Sequence, residues 1–267
     1  MPFLKYPGGK RHQAALISKL FADSGKRVYA EPFCGSAVVA EGIKAEYYKL
    51  SDANGALVST LASAIDDPQG LIEQCEFVWG EFEGEDGYYA AREKFNSLRI
   101  VQGPGVPPLY VYLNKHGYNG LSRYNSRGEY NVPWGKRVAP IPAEDILAFS
   151  RALRGARVTA EDYKFTMMAA DNDWFVYADP PYMGTFSGYS TVKFTEQDHA
   201  DLNIMAREAA GRGATVAISS GRGMSAVFDV YRDASSAIML EEARSQIGQT
   251  PGSRGTMPEV VFLYEKK

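Results

Sequence analysis

The stretch "WFVYADPPY", residues 174–182, sets an acid, two prolines and an aromatic directly behind an apolar run. "WFVY" reads as a buried strand, so Asp179 falls at its carboxyl end, where open α/β sheets bind ligands. Pro180 and Pro181 remove N–H donors and stiffen the turn. What remains is a pair of acceptors, the Asp179 carboxylate and the Pro180 carbonyl, beside the flat face of Tyr182. That set suits a planar ring carrying an NH2 group. The lone pair of such a nitrogen is delocalised into its ring. Accepting hydrogen bonds from both N–H groups draws the nitrogen towards a tetrahedral, more nucleophilic form. It can then attack a reactive methyl without a metal or a covalent intermediate. The bland alternative is a rigid turn that ends a strand.

Two further stretches carry candidate chemistry. In "EPFCGSAVV" (31–39) a strand ends in a tight turn, which brings backbone N–H groups close to a ligand. Gly35 is the only glycine of that turn, there is no Walker-type lysine, and Glu31 repels phosphate. The turn therefore suits a cationic or amino group, or is a plain strand-to-helix connection. Asp52 ends the next strand, placed either to accept ribose hydroxyls or to cap the following helix. In "KYPGGK" (5–10) Lys10 is free to meet a carboxylate and Tyr6 to stack on a ring, although a surface turn with Gly8 and Gly9 explains the same residues.

The elements that must position these residues alternate. "RHQAALISKLFADSG" (11–25) has helical spacing and a glycine stop. "RVYAEPFCGSAVVAEGIKA" (27–45) predicts a short strand, a tight turn and a helix. "YYKLSDAN" (47–54) predicts a strand and "GALVSTLASAI" (55–65) a helix. After 142, "AEDILAFSRAL" (143–153) and "TEQDHADLNIMAREAAG" (195–211) are helical. "RVTAED" (157–162), "WFVY", "GATVAISS" (213–220) and "EVVFLYEK" (259–266) are strands. The fold class is α/β, with a parallel sheet covered by helices. From about Asp66 to Pro142 the alternation stops, and Gly, Pro, Tyr and Asn accumulate. Within that segment "LSRY" and "EYNV" predict a β-hairpin around "NSRG". The expected organisation is one domain from 1–65 and 143–267, with 66–142 inserted as a second lobe.

Composition narrows the class. The chain has 267 residues, 45% hydrophobic, and a formal net charge of -3. Any nucleic-acid surface must therefore be local. Residues 114–137 supply one: Lys115, Arg123, Arg127, Lys136 and Arg137 stand against the single acid Glu129. A solvated hairpin with an aromatic mini-core is the plainer reading of that segment. Cys34 and Cys75 fit no zinc or disulfide framework, and the three histidines show no metal spacing. Neither a signal peptide nor a membrane-spanning run is visible. The expectation is a soluble cytoplasmic protein, bacterial or phage-encoded, with no metal and no obligate protein partner.

Together "KYPGGK", "EPFCGS", the inserted lobe and "DPPY" resemble the alpha-group N6-adenine DNA methyltransferases. "YLNKHGYNGLSRYNSRGEYNVPWG" (112–135) resembles the target-recognition segment of the Dam family, which methylates adenine in GATC. The resemblance covers about Phe3 to Tyr264. It implies a Rossmann-like, S-adenosylmethionine-dependent methyltransferase domain with an inserted, mainly helical target-recognition lobe carrying the hairpin. It implies that Tyr6, Gly8 and Lys10 line the cofactor site, with Lys10 near its amino-acid end. Glu31, Pro32, Phe33 and Gly35 flank the methionine part, Asp52 holds the ribose, and Asp162 and Tyr163 contact the cofactor adenine. Asp179, Pro180, Pro181 and Tyr182 hold the target adenine, which leaves the duplex to be reached. Double-stranded DNA is the implied partner. Lys5 and Arg123 would each read a guanine, Leu121 and Pro133 touch base edges, and Tyr118 enters the stack. Lys115, Asn119, Asn125, Asn131 and Arg92 contact the backbone or the orphaned base. Ala37 replaces a usual glycine and Tyr6 a frequent Trp, while "GRGMSAVF" (221–228) maps to no family role. The same acceptor pocket suits cytosine N4 or another target sequence, and a silent DNA-binding protein would keep the lobe alone.

Overall fold

The computed structural model describes residues 3–99, 103–183, 194–221, 225–244 and 256–266. Residues 184–186 of the stretch that follows "DPPY", and 222–224 of "GRGMSAVF", lie outside the described residues. Seven strands among the described residues form one sheet: β1 (Val28–Glu31), β2 (Tyr47–Asp52), β3 (Arg157–Ala160), β4 (Trp174–Ala178), β5 (Thr215–Gly221), β6 (Ser236–Arg244) and β7 (Thr256–Tyr264). Their spatial order is β3-β2-β1-β4-β5-β7-β6. The first five pair in parallel, and β7 enters antiparallel between β5 and β6. This is the expected Rossmann-like α/β sheet. The chain runs outward from β1 to β3, returns, and runs the other way from β4. The crevice between the carboxyl ends of β1 and β4 is therefore the topological switch point.

Side chains alternate between two cores, as a period of two residues requires. On β4, Phe175 and Tyr177 join the larger core under α1 (Ala14–Ser24), α2 (Gly55–Asp66) and α6 (Ala143–Ala152). Val176 and Ala178 join the other, under α7 (Tyr163–Ala169) and α8 (Glu196–Gly211). The helix boundaries have local causes. Gly25 ends α1 in the left-handed region at φ 66°. The Asn54 side chain accepts from Leu57 N to start α2, and Thr195 and Asp198 form a capping box on α8.

Between α2 and α6 lie α3 (Pro68–Glu81), α4 (Gly84–Leu98), α5 (Val106–His116) and the hairpin. Every α5 residue except Lys115 is buried, because α2, α3 and α4 all pack on it. A helix buried on all sides shows no amphipathic stripe, so its sequence did not announce it. The expected hairpin is present. Tyr124 and Tyr130 form an antiparallel bridge, flanked by Asn131 N–H to Arg123 O at 3.0 Å and Asn125 N–H to Glu129 O at 2.9 Å. In that pattern the Tyr130 N–H and C=O point out of the hairpin. One face of α4 receives them. Asn96 accepts from Tyr130 N at 2.8 Å and donates to Tyr130 O at 3.1 Å. Tyr88 and Arg92 donate to Val132 O, and Arg99 to Gly128 O.

One expectation fails. The helix after the first turn is absent, and 32–46 holds only a single 3-10 turn, Ala40–Gly42. The chain reverses tightly there, with Gly35 at φ 49° and Ala37 at φ 55°, and Ile43 is already extended. Two left-handed residues within three positions leave no room to nucleate a helix.

Asn96 is the attachment most exposed to test. Replacing it by Ala leaves two main-chain groups of Tyr130 without their partner. We expect Asn96→Ala to lower the unfolding free energy by about 1–3 kcal/mol, read by urea denaturation. A change within experimental error would show that the pair contributes nothing.

Candidate active site at the strand ends

Glu31, Asp52 and Asp179 stand at the carboxyl ends of β1, β2 and β4. Glu31 is buried; its carboxylate accepts from Tyr29 OH at 2.7 Å. Burial pushes its pKa up to about 8, against the Tyr29 and Ala40 hydrogen bonds and with the Asp179 charge adding to the rise. Asp179 Oδ2 pairs with Lys10 Nζ at 3.0 Å, whereas Oδ1 is buried with no hydrogen-bond partner among the described residues. Burial raises the Asp179 pKa, with Lys10 opposing. Lys10 is itself buried, donates to Gly8 O at 2.7 Å, and lies 4.7 Å from the centre of the Tyr182 ring. "KYPGGK" and "DPPY", far apart in sequence, thus meet at one point. Pro180 is buried at the turn and Pro181 is exposed.

The first turn supplies a tight cradle. A Cβ on Gly35 would come 2.9 Å from the Tyr6 ring, so the aromatic lies directly on the glycine. Asp52 does two local tasks: Oδ2 accepts from Gly35 N at 3.1 Å and Oδ1 from Asn54 N at 2.9 Å. The helix cap itself is Asn54, not Asp52. Phe33 stacks on Tyr163 with centroids 5.3 Å apart, and Phe194 meets both edge-on. Asp162 caps α7 through Lys164 N, and Tyr163 OH donates to Asp198 O. Pro32 is buried behind the turn.

The hairpin side gathers the other candidates. Asn114 on α5 holds Lys5 by both main-chain groups and also donates to Gly120 O. A Cβ on Gly120 would come 2.7 Å from Lys5 Cδ, so the lysine stem lies across the glycine. Tyr118 is 48% exposed, Asn119 sits at φ 55° beside it, and Pro133 is exposed. Leu121 is buried. Asn131 fixes the Arg123 guanidinium, accepting from Nε at 2.8 Å and, through its main chain, from Nη2 at 3.0 Å. Arg92 lies over Tyr89 and is tied to Val132 O. Asn125 shapes the hairpin turn, accepting from Arg127 N and Glu129 N. Burial lowers the Lys5 and Lys115 pKa values, and Arg137 adds to both shifts. Tyr124 OH donates to Asn54 Oδ1 at 3.3 Å, joining the hairpin to the end of β2.

Sequence reading missed several groups that shape the site: Asn114, Asn54, and a polar cluster of His12, Gln13, Ser219 and Glu259 behind Tyr182. It also missed His199, which meets Tyr231 OH at 2.6 Å and hydrogen-bonds to the Pro181 main chain. The only signal for Asn114 was a polar residue inside an apolar run. Among the described residues no group of three or more His, Cys, Asp or Glu is placed to hold a metal ion. No helix among them is long and apolar enough to cross a membrane.

The fold and the site define an α/β protein of the Rossmann class with a buried acceptor at its switch point. The family model described as D12 class N6 adenine-specific DNA methyltransferase matches residues 6–247. The chain belongs to that family and is a DNA adenine methyltransferase. It is 31% identical to the DNA adenine methylase of Escherichia coli strain K12 over 98% of this chain and 95% of that one. It is 30% identical to the retron Ec67 DNA adenine methylase of Escherichia coli over 97% of this chain and 90% of that one. The DNA adenine methylase of Haemophilus influenzae is 28% identical over 98% of this chain and 93% of that one. Among solved structures, the rRNA methyltransferase aviRa from Streptomyces viridochromogenes aligns with TM-scores of 0.37 and 0.38 in two crystal structures. Identities are 13% and 15%, covering 94% and 97% of this chain and 84% and 86% of those chains.

His199 gives the acceptor turn a pH limit. Burial pushes its pKa from 6.5 down to about 4, against the Pro181 hydrogen bond and the Asp198 charge. The folded state therefore favours the neutral ring. That stability is complete above the unfolded pKa near 6.5 and is lost as pH falls through about 4. Relative to His199→Gln, we expect the natural protein to lose about 3 kcal/mol more unfolding free energy between pH 6.5 and 4. Parallel curves for the two proteins would refute this.

Proposed function

We propose that this enzyme transfers a methyl group from S-adenosylmethionine to N6 of an adenine flipped out of duplex DNA, at GATC. The observation that carries the reading is the unpartnered Asp179 Oδ1, buried at the switch point beside an aromatic. The cofactor fits the residues there. Glu31 offers a buried acid for an amino group, Tyr6 and Gly35 form a cradle, and Asp52 keeps lone pairs for a ribose. Asp162, Tyr163, Phe33 and Pro32 would border its adenine, with Gly8 and Lys10 at its amino-acid end. When bound, the cofactor would supply an electrophilic methyl on a sulfonium, whose S–C bond breaks to leave the thioether S-adenosylhomocysteine.

The chain's residues do the rest. Lys10 holds Asp179 Oδ2, which leaves Oδ1 to accept from the target amino group, with the Pro180 carbonyl as second acceptor. Tyr182 gives the base a platform, and Pro181 keeps the turn rigid. The raised Asp179 pKa favours taking the proton that N6 sheds as its new N–C bond forms. Fixed acceptors need little reorganisation, and holding the reactants in line supplies much of the acceleration.

Residues 1–65 and 143–267 would form the catalytic part and 66–142 the part that reads DNA. Lys5 and Arg123 would meet the two guanines, and Leu121 and Pro133 the base edges. Tyr118, half exposed on its loop, is the wedge. Lys115, Asn119, Asn125, Asn131 and Arg92 would line the backbone or the orphaned base. Asn131, Asn125 and Arg92 already carry hairpin hydrogen bonds, so they would contact DNA by their remaining polar atoms. The named activity of the relatives on DNA adenine supports this substrate. It favours adenine N6 over cytosine N4 and over a silent binding protein. With bacterial relatives, the cytoplasm is the expected compartment.

The deciding experiment is transfer of labelled methyl to two duplexes, one with GATC and one with its outer guanine–cytosine pairs exchanged, with the product base identified by mass. We expect N6-methyladenine on the GATC duplex alone. Equal transfer to both would discard the roles of Lys5 and Arg123. A second outcome follows from Glu31, which is largely protonated at pH 7 with a pKa of about 8. Binding a cationic amino group should ionise it, so titration with S-adenosylmethionine at pH 7 should release up to about one proton. Calorimetry in buffers of different ionisation enthalpy reads this directly. Glu31→Gln should abolish the buffer dependence.

A further inference from the structure

Behind the ring of Tyr182 lies a cluster that the transfer chemistry above does not use. Glu259, on β7, is 7% exposed, and carboxylates are rarely so buried unless paired. Its Oε1 accepts from Tyr182 OH at 3.1 Å. Its Oε2 accepts from Gln13 Nε2 and meets His12 Nε2, both at 2.6 Å. Ser219 Oγ on β5 lies 3.1 Å from the same Tyr182 hydroxyl and accepts from Gln13 Nε2 at 3.1 Å. Tyr177 OH on β4 donates to Gln13 Oε1 at 3.0 Å. Burial would raise the Glu259 pKa, but His12, Lys10 and Gln13 outweigh it and hold the carboxyl below its ordinary value. A charged acceptor is therefore kept inside the sheet.

The geometry points to Glu259 as a positioning residue: with Ser219 and Gln13 it fixes the Tyr182 hydroxyl, and so the plane of the ring that meets the target base. This inference rests on the reading of Tyr182 as the base platform. The ring is gripped at both ends. At one end is the proline turn, and at the other the hydroxyl is held between two strands, β5 and β7. Lys10 lies over the ring face. A single hydrogen bond to a surface group would let the ring swing about its χ1 bond. Two partners fixed in adjacent strands, in the register Ser219↔Val261 and Gly221↔Glu259, do not. His12 and Gln13 come two and three residues after Lys10, so the segment that pairs with Asp179 also braces Glu259.

The test is a double-mutant cycle on the full-length enzyme, read as the single-turnover rate of methyl transfer to a GATC duplex. Tyr182→Phe removes the hydroxyl and keeps the ring. We expect Tyr182→Phe and Glu259→Ala each to slow transfer about tenfold, with cofactor KM changed less than about twofold, and the double variant to be no slower than the worse single. Glu259→Gln, which keeps an acceptor, should recover to within about threefold of the natural enzyme. If Glu259→Ala does not fold, Ser219→Ala serves instead: a loss of about threefold that vanishes in the Tyr182→Phe background. Losses that multiply in the double variant, or a Glu259→Gln as slow as Glu259→Ala, would overturn the inference while leaving the platform reading intact. Tyr182→Ala separates the two. If it transfers methyl at the natural rate, the platform reading itself fails, and this inference with it.

Discussion

One ammonium among buried acids governs this site. Glu31, Asp52 and Asp179 all sit with raised pKa values at adjoining strand ends. Lys10 is the cation that reaches Asp179, and its charge also acts on Glu259. Buried carboxylates of like sign repel, and each costs desolvation that only partners can offset. At Asp179 the chain meets that cost by folding an N-terminal glycine turn over the sheet so that Lys10 pairs with it, while Tyr29 OH serves Glu31 and the Gly35 and Asn54 N–H groups serve Asp52. The switch point is thereby poised: it carries one acceptor oxygen held by lysine and one left over.

The segment from Phe3 to Lys10 has to reach that position past several other elements, and it touches each. Phe3 packs edge-on against Phe149 of α6 at 4.9 Å. Lys5 is clamped by Asn114 of α5. Tyr6 lies on Gly35, and Lys10 ends on Asp179. One short turn-bearing segment therefore joins the buried helix α5 to the acceptor turn. The contact of Tyr124 with Asn54 is a second tie between the same two regions. Neither region can shift far without the other.

The parallel half of the sheet was legible because each strand was an apolar run ended by polar residues, and Asp179, Glu31 and Asp52 marked those ends. The hairpin was legible from "NSRG" between "LSRY" and "EYNV". What escaped had physical reasons. α5 shows no stripe because it is buried all round. The helix after Gly35 was expected from a strand–turn–helix reading of 27–45, but two left-handed residues override it there. Glu259 looked like the polar start of a strand. Its role depends on β7 lying antiparallel beside β5, a pairing between segments about forty residues apart that no local pattern encodes. Lys10 and Asp179 are each visible as motif residues, yet only the tertiary fold puts them 3.0 Å apart.

The way α4 holds the hairpin has a consequence for how freely the hairpin's sequence can vary. Asn96, Tyr88, Arg92 and Arg99 all bond to main-chain atoms of Tyr130, Val132 and Gly128. Main-chain atoms are the same whatever the side chain. Apart from the inward Tyr130, the buried Leu121 and Val132, and the turn residues Asn125 and Gly128, the residues along this hairpin can be exchanged without touching the helix's grip. The mount is generic and the tool on it is replaceable. This surface can vary by point substitution while the scaffold, the glycine turn and the buried acids stay as they are.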